Sequence, residues 1–338
     1  DVERSRGLGD VYKRQDKILL NQINAGINGR RKGHFYEEEL SRRVNEMQMP
    51  YLRSEARGGV VHKGKPEIIL IDKILDYLCW DKCDNVSAYA TGKLATSEYG
   101  EKQIDIEGVS ITSTKSDIIL VMTNSNDKRI VGISVKQCNN KVSTNPQIFF
   151  TTATAFYNLL RDNGMALTDR ALLAMRQFCG DLGFRPMDNY DCSDRESTPE
   201  RYFWEEIDSP GRMEWEQVFK DRQDDVTRLL LCKGYNDDPC PPEIILHKTR
   251  YSDSFDRQEI VVFDIGQFLD LSKRYSSFAC TLYRVNKGRY KESQAILHQA
   301  PRFGVIQMQR GGQKQHPTQL QFNLKSNYFK EFEALLNL

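Results

Sequence analysis

KSDIILVMTNSNDKRIVGISVKQ, residues Lys115–Gln137, is the stretch that decides the fold. Two runs rich in aliphatic and β-branched side chains, Ile118–Met122 and Ile130–Val135, flank the polar string NSNDK at Asn124–Lys128. Apolar runs of this length, bounded by Asn, Ser and Asp, predict two strands and a turn, hence an antiparallel hairpin. With the turn centred near Asn126, Asp117 falls opposite Val135, with Ser134 and Lys136 as diagonal neighbours. Strand alternation puts Asp117, Ile119 and Val121 on one face, and Gly132, Ser134 and Lys136 likewise share a face. A carboxylate and an ammonium meet in an otherwise apolar sheet. Burying both is costly unless they serve each other or a metal. An incidental cross-strand Asp–Lys pair would use the same residue types.

Upstream, helical spacing appears over Asp16–Asn28, then over Phe35–Met47 through Tyr36, Leu40, Val44 and Met47, and again over Glu67–Trp80. From Val86 the period shortens, and Ser87–Leu94 and Gln103–Ile111 read as strands. Downstream, Pro146–Leu160, Thr168–Cys179 and Met213–Cys232 read as helices, separated by the acidic, irregular stretch Asp181–Ser209. Beyond the NDDPCPP linker at Asn236–Pro242 come strands at Glu243–Lys248, Glu259–Asp264, Ala279–Val285, Phe303–Arg310 and Gln319–Leu324, with helices at Ile265–Lys273 and Tyr328–Leu336. The order predicts an α/β core with a mixed sheet.

The strings KSD (Lys115–Asp117) and SVK (Ser134–Lys136) resemble the catalytic hairpin of the PD-(D/E)XK nuclease superfamily, in particular its type II restriction endonucleases. The resemblance implies a restriction-endonuclease-like core with a mixed central β-sheet flanked by helices, over 16–180. An acidic insert and linker (181–240) and a basic C-terminal α+β region for DNA recognition (241–338) would follow. It also implies that Asp117 binds Mg²⁺, that the Val135 carbonyl completes the metal shell and that Lys136 activates the attacking water. Ser134 departs from the family pattern, which usually has a second acid there. A compensating acid is sought in Gly33–His34–Phe35–Tyr36–Glu37, similar to the family's Gly-x-x-aromatic-Glu context, which nominates Glu37. First-turn acids are also favoured simply by the helix dipole.

Net charge is only +1, yet residues 273–316 hold nine cations against the single acid Glu292. Such asymmetry suggests a polyanion-binding face. Within it, Gln307 and Gln309 alternate with Ile306 and Met308. Arg suits guanine and Gln suits adenine in the major groove. Gln307, Gln309, Arg310, Gln313 and Lys314 are therefore candidates for base or phosphate contact, Arg284, Arg289 and Arg302 for phosphates, and Gln147 for substrate contact after the hairpin.

The resemblance makes double-stranded DNA the expected partner, along with a cognate methyltransferase; a palindromic site would imply a homodimer. A repair or junction-resolving nuclease and a non-catalytic DNA-binding protein on a degenerate nuclease fold are the alternatives.

Eight cysteines without a C-x-x-C pair and five scattered histidines argue against zinc and for reduced thiols in a cytoplasmic bacterial or archaeal protein. No phosphate-binding Gly-rich loop followed by Lys-Ser/Thr is present, which excludes ATP use by that route. No apolar run approaches the roughly 18 residues of a membrane span. The string DVYKRQ at Asp10–Gln15 resembles a translated transposon end used in sequencing libraries. Asp1–Gln15 is therefore expected to be adapter-derived and joined to a truncated metagenomic gene.

Overall fold

The computed structural model describes residues 33–54, 59–95, 103–125, 127–189, 199–232, 238–285, 296–310 and 318–338. The helix expected over Asp16–Asn28 lies outside them. Helix α1, residues 33–45, buries Tyr36, Leu40 and Val44, the stripe that its spacing predicts. After β1 (Tyr51–Leu52) and β2 (His62–Gly64), α2 (Pro66–Leu78) opens on a proline, whose missing N–H is harmless in a first turn. Next come β3 (Lys82–Cys83) and β4 (Asn85–Ala90). The single strand expected over Gln103–Ile111 is instead a hairpin, β5 (Ile104–Ile106) and β6 (Val109–Ile111), turned by Glu107 and Gly108 at φ 54° and 79°.

The central hairpin is β7 (Ile118–Asn124) and β8 (Asp127–Gln137). Pro146–Leu160, expected to be helical throughout, opens as strand β9 (Gln147–Thr151), in keeping with its Ile148–Phe149–Phe150. Helix α3 (Ala153–Asp162) begins only where the Thr152 hydroxyl accepts from the Ala155 N–H at 3.2 Å. Helix α4 (Asp169–Cys179) follows. The expected single helix Met213–Cys232 is two, α5 (Ser209–Asp221) and α6 (Gln223–Leu231), broken at Arg222 with φ −117° and ψ 29°. Strands β10 (Pro242–Lys248) and β11 (Gln258–Asp264), helix α7 (Ile265–Tyr275) and strand β12 (Phe278–Tyr283) come in the expected order. Phe303–Arg310 is not one strand: β13 (His298–Phe303) folds back at Gly304, φ 53°, into β14 (Ile306–Arg310). Strand β15 (Leu320–Leu324) and helix α8 (Tyr328–Leu336) complete the described elements.

A six-stranded mixed sheet runs β2-β11-β10-β8-β7-β4, with β10 parallel to β8 and its other pairs antiparallel. The β7–β8 register pairs Ile118 with Ile133 and Asn124 with Asp127. Continued by one step, it sets Asp117 opposite Ser134, not Val135 as a turn centred on Asn126 would have it. That single-residue difference decides the site, because directly opposed side chains share a face. Only this register puts Asp117, Ser134 and Lys136 on one side. Ile118, Leu120, Val131 and Ile133 pack against α1 and α2, while Ile119 and Val121 are covered by Ile106 and Ile111 of the β5–β6 hairpin. A hairpin buried on both faces explains its nearly continuous apolar runs. Gly132 admits the parallel partner: a Cβ there would collide with the Pro241 carbonyl oxygen and the Ser116 hydroxyl.

A second, antiparallel sheet runs β12-β13-β14-β15-β9. Phe303, Ile306, Met308, Leu320 and Phe322 enter the largest core, where Phe219 stacks on Phe303 at 4.6 Å and Phe156 meets Phe322 at 4.7 Å. The sheets cross the boundary expected at residue 241: β10 and β11 belong with the central hairpin, and β9 belongs with the C-terminal strands. The chain is thus an α/β protein with a mixed sheet flanked by helices. No helix among the described residues is long and apolar enough to cross a membrane.

Candidate active site

The residues KSD and SVK come together at the end of β8. The Asp117 backbone N–H donates to the Ile133 carbonyl at 2.8 Å, and its carbonyl accepts from the Thr91 N–H at 3.1 Å, so the residue is held on both sides. Its Oδ2 accepts from the Val135 N–H at 2.7 Å and the Ser134 hydroxyl at 3.2 Å, and lies 3.8 Å from the Lys136 Nζ. One carboxylate oxygen therefore gathers an amide, a hydroxyl and an ammonium. The side chains of Lys136 and Asp117 keep 14% and 21% exposure, enough for a ligand to reach them and little enough for their charges to act through low dielectric.

β8 and β10 are the one parallel pair among the described strands, and their carboxyl ends finish at this site. In open α/β sheets, ligands favour the crevice outside such ends. Two residues of β10 were not singled out by sequence. His247 pairs with Lys136 in the register, is fully buried, and shares a hydrogen bond of 3.3 Å with the Tyr328 hydroxyl through Nδ1. Burial, and secondarily the Lys136 charge, pull its pKa down to about 3. Lys248 pairs with Gln137 and is 6% exposed. Its ammonium donates to the Asn139 amide oxygen at 3.2 Å and lies 5.6 Å from the Tyr36 ring centre. No carboxylate among the described residues pairs with it, and burial lowers its pKa. The sequence reading placed both within the strand Glu243–Lys248 and gave neither a role. The signal that could have found them was polar residues inside an apolar strand.

A pH dependence follows from His247. It stays neutral in the folded chain down to about pH 3, whereas in the unfolded chain it takes a proton below about pH 6.5. Acid therefore favours unfolding: the contribution is complete above pH 6.5 and is lost progressively toward pH 3. Urea midpoints measured from pH 7 to pH 4 are expected to fall more steeply for the wild type than for His247→Gln, which does not titrate. Parallel slopes would contradict the assignment.

Glu37 is buried in α1, 8% exposed. A Cβ built on Gly92 would lie 3.3 Å from its Oε2 and 2.8 Å from the His34 ring. Gly92 follows Thr91, whose N–H holds Asp117, so Glu37 and Asp117 flank the same two-residue step. Gln137 ties the hairpin to this helix by donating to the Gly33 carbonyl at 3.2 Å. Glu38 is exposed and Glu39 is taken up by Arg42 and Arg43, as their helix positions predict. Among the described residues there is no group of three or more His, Cys, Asp or Glu side chains that could hold a metal.

The residues nominated for DNA contact lie apart, on the second sheet. Gln309 and Gln147 are exposed and Gln307 is half-buried, while Ile306 and Met308 point inward, as their alternation predicts. Arg284 is exposed just beyond β12. Arg302, expected to hold phosphates, is turned onto its own protein: it donates to the Gly304 carbonyl at 2.7 Å and lies 5.4 Å over Tyr275. Arg310 is enclosed beside Gly180, and burial, with the neighbouring Arg201 charge, pulls its pKa down to about 10. Arg289, Gln313 and Lys314 lie outside the described residues. No known protein-family profile matches the chain, and no curated protein is similar to it in sequence.

Proposed function

We propose that the chain is a Mg²⁺-dependent endonuclease that hydrolyses phosphodiester bonds of double-stranded DNA at a specific sequence, in the manner of type II restriction enzymes. The observation that carries this is the approach of Lys136 Nζ to Asp117 Oδ2, 3.8 Å apart on one sheet face at the carboxyl end of β8. The donors at hand are oxygens: the Asp117 carboxylate, the Ser134 hydroxyl and the Val135 carbonyl, with Glu37 across Gly92. Such a set suits Mg²⁺, which takes hard ligands, needs only one or two carboxylates and keeps several waters. Bound at Asp117, Mg²⁺ would supply a polarised water and a counter-charge to the phosphate. Asp117 is oriented for this by the Val135 N–H. Lys136 holds the attacking water and balances the negative charge that develops on the phosphoryl oxygens. The neutral His247 next to it adds no competing cation.

The test is a plasmid digest with Mg²⁺, repeated with a chelator. Discrete fragments that disappear with chelator support the proposal, and DNA binding with no cleavage at any Mg²⁺ concentration sinks it. Ser134 in place of an acid supports a second reading, a non-catalytic DNA-binding protein on the same fold, which predicts that second outcome.

The proposal carries a gain-of-function expectation. In Ser134→Asp a second carboxylate faces Asp117. Without metal their repulsion is expected to lower stability by on the order of 1 kcal/mol, which Mg²⁺ restores. The half-saturating Mg²⁺ concentration should fall roughly tenfold, about 1.4 kcal/mol of added binding. Melting with and without Mg²⁺ checks both parts.

A further inference from the structure

The second sheet has an unusual composition. None of its five strands carries an Asp or Glu, although the chain as a whole has 47 acids in 338 residues. Carboxamides line up across it instead: Gln307 pairs with Asn323 and Asn323, which is buried, with Gln147 across three strands, and Gln309 pairs with Gln321 in the next row. None of these side chains is among the β-branched and aromatic types that strands favour, so strand propensity does not account for the pattern. Glu205, a carboxylate that touches this sheet, is already taken up by the His298 ring at 2.7 Å and the Gln299 N–H at 2.9 Å.

This face is concave. A cavity of about 330 Å³ opens on it, walled by Tyr283, Gln299, Gln307, Gln309, Arg201 and Arg310. That volume lies at the small end of the roughly 300–1,000 Å³ of small-ligand sites. Two amides of the wall are already set in place. The Asn145 amide donates to the Gln307 side-chain oxygen at 3.0 Å, and Asn323 donates to that of Gln309 at 3.3 Å. Each of these glutamines keeps its NH₂ group without a protein partner among the described residues, and each keeps a second lone pair on its oxygen. A donor beside an acceptor, held still, complements the edge of a nucleobase. Tyr283 supplies an aromatic wall, and the guanidinium groups of Arg201 and Arg310 supply positive charge.

We propose that this cavity binds one nucleotide unit, with the base edge on Gln307 and Gln309, the base face against Tyr283 and the phosphate toward Arg201 and Arg310. A base can enter such a pocket only outside the double helix, as an extruded or single-stranded nucleotide. Taking DNA as its source rests on the nuclease proposal above. A free nucleotide would present the same chemistry.

The test is a fluorescence titration of the full chain in chelator, so that nothing is cut, against labelled single-stranded pentanucleotides of each base and an abasic pentamer of equal charge. At least one base is expected to bind tenfold or more above the abasic chain. Gln309→Ala and Tyr283→Ala are expected to erase that margin, Tyr283→Phe to keep it, and Lys136→Ala to leave it unchanged. Competition by a free nucleoside monophosphate at comparable concentration assigns the pocket to free nucleotides, and competition by oligomers alone assigns it to DNA. Equal binding of abasic and base-bearing chains would overturn the proposal, as would a base preference untouched by Gln309→Ala and Tyr283→Ala in folded protein. A base preference that persists without plasmid cleavage would uphold the pocket while removing the nuclease.

Discussion

Lys136→Ala is expected to lower the rate of DNA cleavage by about 10²–10³-fold, the usual cost of removing one preorganised charge from a transition state. DNA affinity should change less than tenfold, because one partly buried ammonium contributes little to a polyelectrolyte contact. The fold should survive. Asp117 keeps its hydrogen bonds from Val135 and Ser134, and the Lys136 stem is replaced within a strand whose backbone pairing does not depend on it. Single-turnover cleavage and binding in chelator, measured on the same preparation, separate the two quantities. A fall in binding matching the fall in rate would place Lys136 in DNA attachment rather than in the chemistry.

Gly132→Ala is expected to be the most damaging single methyl in the central sheet. The added carbon meets the Pro241 carbonyl and the Ser116 hydroxyl, and the first is backbone that cannot rotate away. The Ser116 hydroxyl is itself committed, donating to the Cys240 carbonyl at 2.6 Å. Relief requires β10 to back away from β8, which opens the parallel pair carrying His247 and Lys248. Overpacking of this kind costs typically 1–3 kcal/mol, and the rigid partner argues for about 3 kcal/mol here. Chemical denaturation checks it, and a change below about 1 kcal/mol would contradict the close approach of the two strands. Because Ser116 precedes Asp117, the same variant should also lose cleavage at temperatures where it remains folded.

The hairpin was legible because its signals are local. An unbroken apolar run on each side of NSNDK names two strands and a turn without any long-range information. The register was not legible to one residue, since turn centre and turn type are set by backbone geometry that Asn, Ser and Asp all tolerate. That small error inverts the faces, and it was the shared face of Asp117, Ser134 and Lys136 that needed the correct register. β9 was hidden for a different reason. Its Gln147–Thr151 abuts a helix of good amphipathic period, and strand pairing with β15, some 170 residues away, overrides the local pattern. Non-local pairing also concealed His247 and Lys248, which reach the site only because β10 runs parallel to β8. Arg302 shows the limit of counting charge: the density of cations was visible in the sequence, but not that this guanidinium would be turned onto the Gly304 carbonyl and Tyr275.

The central claim is that Asp117 anchors a metal-dependent phosphodiesterase. Cleavage of supercoiled plasmid by the wild type and by Asp117→Asn, with matched melting temperatures and across a Mg²⁺ titration, tests it most directly. The expected result is saturable, Mg²⁺-dependent cutting into discrete fragments by the wild type and none by the variant, with both binding DNA. Equal cutting by the two proteins, or no cutting by a wild type that binds DNA, would contradict it.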